Sequence, residues 1–268
     1  MSDTLRPTGS DNTQLARPLR VPIKRRSFFM YAGATAGATA LVLAGCNDDD
    51  DKNQPAAPTT VNVGITAAND VGVLNYAYAL EQLEAAFYTQ VKDGAYYQGL
   101  PAASAEKQIL DDLQYHEIAH REFFKAALGG AAIRGLEPDF STVDFGVRNG
   151  AAAGKLGVLE AAKAFEDLGV AAYNGAGKFI QTPLNLLLAG KIVSVEARHA
   201  ALIRDLLLEA SFVGDDVVQV STGGPIVAGG PVSATPTGLE RSKSPADVVQ
   251  IVNTFLKEGS KLDVSGLV

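Results

Sequence analysis

The chain has 268 residues of which 47% are hydrophobic, enough for one well-buried core with extensions. Its first 45 residues hold 6 of the 23 Lys and Arg and 2 of the 30 Asp and Glu, so the remainder carries 17 basic against 28 acidic groups, near −11. That acidity excludes a nucleic-acid partner, because it repels a phosphate backbone, and the single cysteine, Cys46, excludes an internal disulfide framework or a thiolate metal cluster.

The chain opens with an address. Lys24-Arg25-Arg26-Ser27-Phe28-Phe29 precedes an apolar run rich in Ala and Gly that ends in Leu43-Ala44-Gly45-Cys46. A basic start, an apolar middle and a small-residue end is the order of a signal peptide. The arginine pair resembles a twin-arginine export signal, and Leu-Ala-Gly-Cys resembles a lipobox, which implies cleavage before Cys46, lipidation of that residue, and a membrane-anchored protein in the periplasm or at the cell surface. An uncleaved membrane-spanning helix over 28–43 is the alternative. The twin-arginine resemblance also implies export in the folded state, with any metal already installed. Residues 1–45 are therefore expected to be the signal peptide and 46–66 a solvated acidic and proline-containing tether.

Four long helices follow. Over 69–93, Leu74, Ala77, Tyr78, Glu81, Ala85 and Tyr88 recur at three- and four-residue steps on one stripe. A second helix is expected over about 104–128, stopped by Gly129 and Gly130, with Leu110, Leu113, Phe124 and Ala127 on the stripe of Glu117 and His120. After a connection of about 25 residues, a third spans about 155–174, with Glu166 on the stripe of Leu159, Ala162, Val170 and Tyr173. The fourth starts at Thr182-Pro183 and runs to about residue 211, with Glu196 and His199 on the stripe of Leu188, Ile192, Ile203 and Leu206. Short links within the pairs and one long link between them predict an all-α four-helix bundle over 67–213, with the crossover between helices 2 and 3. The extension 214–268 is rich in Gly, Pro and Ser until Ser244-Pro245, where a short fifth helix should begin, pack on the bundle and stop by Gly259.

The two helix pairs align with one another. Glu81 lies over Glu166, Tyr88 over Tyr173, and Glu117-Ile-Ala-His120 over Glu196-Ala-Arg-His199. A Glu and a His three apart share a helix face, so each Glu-x-x-His can present a carboxylate and an imidazole to one point. All six groups sit on apolar stripes, and four carboxylates gathered in an apolar interior must be protonated or meet cations. Two divalent ions would balance four carboxylates beside neutral His ligands. The expected metal ligands are Glu81, Glu117, His120, Glu166, Glu196 and His199, with Glu84 and Glu160 as competing carboxylates on helices 1 and 3. Tyr88 and Tyr173 are either donors to metal-bound carboxylates or core residues with a polar tip. His116 faces Val195 in the alignment and is expected to be a partly exposed helix residue.

The segment 69–211, on Leu80-Glu81-x-x-Glu84-Ala-Ala-Phe-Tyr88 and Glu166-Asp-Leu-Gly-Val-Ala-Ala-Tyr173, resembles ferritin-like domain proteins of the desiccation-related type. That resemblance implies a di-iron or dimanganese centre with Glu117 and Glu196 as bridging carboxylates. The expected activity is that of an oxidoreductase on oxygen or peroxide: ferroxidase, peroxidase or catalase-like. A non-enzymatic envelope stress protein with a structural or vestigial metal site, and an adaptor acting through the extension, are the alternatives. Fe and Mn accept the same ligands, and a homo-oligomer is allowed.

Overall fold

The computed structural model describes residues 63–65, 69–214, 216–218 and 238–267. The expected signal peptide, Cys46, nearly all of the tether and residues 219–237 of the C-terminal extension lie outside them.

After a short strand β1 (Val63–Gly64), helix α1 spans Asp70–Asp93, capped by the Asn69 side chain, which accepts the Gly72 N–H at 3.3 Å. Gly94 ends it where a Cβ would lie 2.5 Å from the Phe145 carbonyl oxygen. A five-residue helix α2 (Ala95–Gly99), not expected from the sequence, leads to α3 (Ala105–Leu128). Ser104 caps α3, and Gly129 closes it at φ +52°, a left-handed conformation that glycine adopts without strain. The crossover follows, pinned by parallel two-residue strands β2 (Val143–Asp144) and β3 (Leu156–Gly157).

Helix α4 (Val158–Ala176) starts about three residues later than the sequence suggests. Leu156 and Gly157 are held in β3, and the Glu160 carboxylate turns back to accept the Gly157 N–H at 2.8 Å. Helix α5 (Pro183–Leu207) begins with proline at its first position, as expected. Thr182 makes no side-chain cap, however. The Asp70 carboxylate instead accepts the N–H groups of Gln181 at 2.6 Å and Thr182 at 3.0 Å, so α1 supplies the cap of α5. At its other end α5 stops before residue 211: the Ser211 hydroxyl donates to the Arg204 carbonyl at 2.7 Å and Ala210 turns to φ +62°. Helix α6 (Pro245–Val252) is shorter than expected because the Asn253 side chain clasps Leu262, accepting its N–H at 2.7 Å and donating to its carbonyl at 3.0 Å. That clasp turns the chain into β4 (Leu262–Asp263), which pairs in parallel with β1.

Helix α1 packs along α3 and α4 along α5, giving two hairpins joined by the crossover. Unlike a surface helix with one apolar stripe, α1 is covered nearly all round. One side carries Glu81 and Tyr88 toward the bundle axis. The other presents Phe87 to Phe140 and Phe145 of the crossover and to Phe165 of α4, at centroid separations of 5.8, 5.9 and 4.8 Å. Phe165 in turn meets Phe255 of the extension at 4.8 Å, and Val248, Val249 and Val252 of α6 are buried, so the fifth helix does pack on the bundle. Arg204 on α5, buried to 4% exposure, ties α4 to the extension through paired hydrogen bonds to Asp167 and Asp216. On α3 the inward stripe is Leu110, Leu113, Glu117 and Phe124; Ala127 is exposed, against expectation, because the stripe drifts around the helix by its last turn.

Candidate metal centre

Each of the four long helices delivers its residues to one point midway along the bundle. Glu81, Glu117, Glu166 and Glu196 have no exposed surface, and His199 is buried to 5% exposure. His120 is a little more open, its side chain 14% exposed.

The six expected ligands form two groups that share members: Glu81, Glu117, His120 and Glu196 in one, and Glu117, Glu166, Glu196 and His199 in the other. In the first, His120 Nδ1 lies 2.8 Å from Glu196 Oε1, 3.4 Å from Glu81 Oε2 and 3.5 Å from Glu117 Oε2. In the second, His199 Nδ1 lies 2.9 Å from Glu117 Oε1, 3.3 Å from Glu196 Oε2 and 3.4 Å from Glu166 Oε2. Glu117 and Glu196 thus turn one oxygen to each group, whereas Glu81 and Glu166 each serve one.

The outer oxygens of these last two are held by tyrosines from the opposite half. The Tyr88 hydroxyl donates to Glu166 Oε1 at 2.5 Å, and that of Tyr173 donates to Glu81 Oε1. Each tyrosine leaves Oε2 of its glutamate aimed inward, so the aligned pair works crosswise between halves. Their hydroxyls sit high above the ordinary phenol range, first because of burial and then because of the carboxylates they face.

The inward atoms show what the cluster fits. Glu81 Oε2, both oxygens of Glu117, Glu166 Oε2, both oxygens of Glu196, and Nδ1 of His120 and of His199 are all buried with no hydrogen-bond partner. Their contacts are close but not aligned as hydrogen bonds. Eight such atoms, four to each group, would be a severe penalty for a protein core, and each group of mixed oxygen and imidazole donors could hold a metal ion.

Without cations, the cluster must hold protons. Burial pushes the Glu166 carboxyl up to about 8 despite the pull of His199. Burial again comes first for Glu81, held well above the carboxylate range with help from Glu196 and Glu117. Burial opposes the charged ring of His120, yet the carboxylates of Glu117, Glu196 and Glu81 overcome it and hold the ring up at about 12. His199 is raised in the same way, chiefly by Glu166 and Glu117 against its burial. The two rings in turn keep Glu117 down at about 2, against its own burial.

The competing carboxylates separate cleanly. Glu160 is the cap of α4 and takes no part. Glu84 is buried beside the cluster, and in the metal-free protein burial, followed by the charges of Glu117, Glu196, Glu81 and Glu166, lifts its carboxyl well above the usual range. Its oxygen occupies space left by Gly169, where a Cβ would stand 3.0 Å away.

His116 differs from its expectation in one respect. It is half-buried, but it also meets the cluster, its Nδ1 lying 2.8 Å from His199 Nε2. Comparison with Val195 hid this; the four-residue step from His116 to His120, which puts both rings on one helix face, was the available signal.

No curated protein is similar enough to match the chain. The family model for the ferritin-like domain matches residues 69–209, more than half of the 268 and the span of all four bundle helices. The chain belongs to the ferritin-like domain family.

Proposed function

We propose that this is an exported metalloprotein of the desiccation-related type, anchored through Cys46, whose bundle holds two iron or manganese ions and acts on oxygen or peroxide. The observation that carries the metal reading is the eightfold set of buried, unpartnered donor atoms shared between two groups. Export and anchoring are supported by the arginine pair and by Leu43-Ala44-Gly45-Cys46.

Two such ions would supply paired one-electron redox partners at a single buried point. Glu117 and Glu196 are placed to hold both together. His120 and His199 would ligate as neutral rings through Nδ1, having given up the protons they carry in the metal-free protein. Tyr88 and Tyr173 keep the remaining carboxylates from rotating away. The imidazoles of α3 line the side from which a small substrate would enter, since His116 and His120 are half-buried whereas His199 and the four glutamates are buried.

The test is anaerobic loading of the metal-depleted protein with Fe2+ or Mn2+, followed by elemental analysis and then by oxygen or peroxide consumption. The expected result is two ions per chain, loss of both in Glu117→Ala, loss of at least one in His120→Ala, and turnover that follows metal content. A well-folded protein that takes up no ion would overturn the metal centre. Two ions without turnover would leave a structural site.

A further inference from the structure

His199 has two ring nitrogens with separate tasks. Nδ1 points at Glu117, Glu166 and Glu196, while Nε2 lies 2.8 Å from His116 Nδ1. The two rings are nearly parallel, at 16°, with centroids 5.1 Å apart. Together with the short nitrogen contact, this is the separation of rings lying edge to edge in almost one plane, as a ring-to-ring hydrogen bond requires.

His120 is differently placed. Its Nδ1 points at Glu81, Glu117 and Glu196, but among the described residues its Nε2 has no hydrogen-bond partner. The position equivalent to His116 in the second hairpin is Val195, an aliphatic side chain that cannot accept a proton.

We infer that His116 is a positioning residue for His199, and that it makes the two metal positions unequal: the Glu166–His199 position is organised by a fixed imidazole, the Glu81–His120 position is not. The inference rests on the dinuclear reading above. For His199 Nδ1 to ligate, the neutral ring must carry its proton on Nε2. That N–H is donated in a hydrogen bond to His116 Nδ1, which fixes the tautomer of both rings and leaves the single ring proton of His116 on its Nε2. A ring so held loses no rotational freedom when the ion arrives, and donating its N–H makes the ligating nitrogen more basic. The ion beside His199 is therefore bound first and more tightly, and an asymmetric pair of ions follows although the six ligand positions themselves are repeated.

The test uses the metal-depleted full chain titrated with Co2+, read by its visible absorption, with the contact-shifted imidazole N–H signals of the loaded protein read by NMR. The expected wild-type result is two resolved binding steps and one N–H that exchanges slowly with water. His116→Val, which copies the other hairpin, should weaken the tighter step by about 10- to 100-fold, leave the weaker one in place and abolish the slow N–H. His116→Gln, which keeps an acceptor, should restore much of the affinity, and Val195→His should tighten the weaker step. Melting of the metal-free variants checks that the fold survives. Equal weakening of both steps in His116→Val, no change in either, or failure of His116→Gln to do better than valine would each overturn the inference while leaving the dinuclear centre standing. A wild-type chain that binds no Co2+ would overturn both.

Discussion

The two hairpins, α1 with α3 and α4 with α5, bring matching candidate ligands to one point but surround them differently. Each contributes a Glu, a Glu-x-x-His and a tyrosine that reaches across to the other half. Beside the centre the repetition fails at two aligned positions that matter for its polar contacts. Glu84 of the first hairpin faces Gly169 of the second, and His116 of the first corresponds to Val195 of the second. Where the halves agree, they supply the buried carboxylates and imidazoles that could hold metal. Where they differ, at Glu84 and His116, we propose that they make the two ends of the centre unequal.

The largest expected effect separates shared from unshared carboxylates. Glu196→Ala, like Glu117→Ala, should reduce bound metal from two ions to none, whereas Glu81→Ala or Glu166→Ala should cost one ion each. Elemental analysis after loading decides this, and equal losses in all four would dissolve the distinction between bridging and terminal positions.

Next comes pH. In the metal-free protein Glu166 holds its proton up to about 8 against an ordinary value of 4.5, and His120 up to about 12 against 6.5. The unfolded chain releases these protons first, so the folded state binds more protons and its stability falls as pH rises from about 4.5 through 8 and on toward 12. Glu117, held at about 2, acts in the opposite sense, and its contribution is lost as pH falls from 4.5 through 2. Metal-free protein should therefore be most stable near pH 4.5, while metal affinity should climb with pH because each ion displaces protons. Melting curves with and without Mn2+ from pH 4.5 to 8.5 should diverge; parallel curves would contradict the protonated cluster.

A smaller effect is expected at the tyrosines. Tyr173→Phe frees Glu81 and Tyr88→Phe frees Glu166, so each should weaken one binding step, the opposite one in each case, by about tenfold. Stepwise Co2+ titration reads which step moves. Smallest of all is Glu84→Gln. Because that carboxyl is already raised well above the usual range in the metal-free protein, the substitution should leave two ions bound and should slightly stabilise the metal-free protein above pH 4.5. Loss of an ion in Glu84→Gln would instead make Glu84 a ligand and the first hairpin's carboxylate pair functional.

Much of this was legible in the sequence, for identifiable reasons. Helical stripes and the paired Glu-x-x-His motifs are local, so periodicity placed the six groups on apolar stripes, and the alignment of the two halves favoured Glu81 and Glu166 over Glu84 and Glu160. The crosswise tyrosine bonds were half legible: the register placed Tyr88 and Tyr173 near carboxylates but not on the opposite hairpin's glutamate. The covering of α1 by Phe140, Phe145 and the extension depends on contacts far apart along the chain and leaves no periodic trace. Glu160 competed with Glu166 in the sequence, and its role as the cap of α4 depends on where that helix starts, which the local pattern placed about three residues too early. His116 was obscured because aligning the halves treats departures from repetition as noise, when here the departure is the distinguishing feature.

The most direct measurement is anomalous scattering from crystals of the protein loaded with Fe2+ or Mn2+. The expected map has two peaks about 3.5 to 4 Å apart, both within bonding distance of Glu117 and Glu196, one beside His120 and the other beside His199. A folded bundle whose carboxylates bond to one another through protons, with no peak between them after loading, would contradict it.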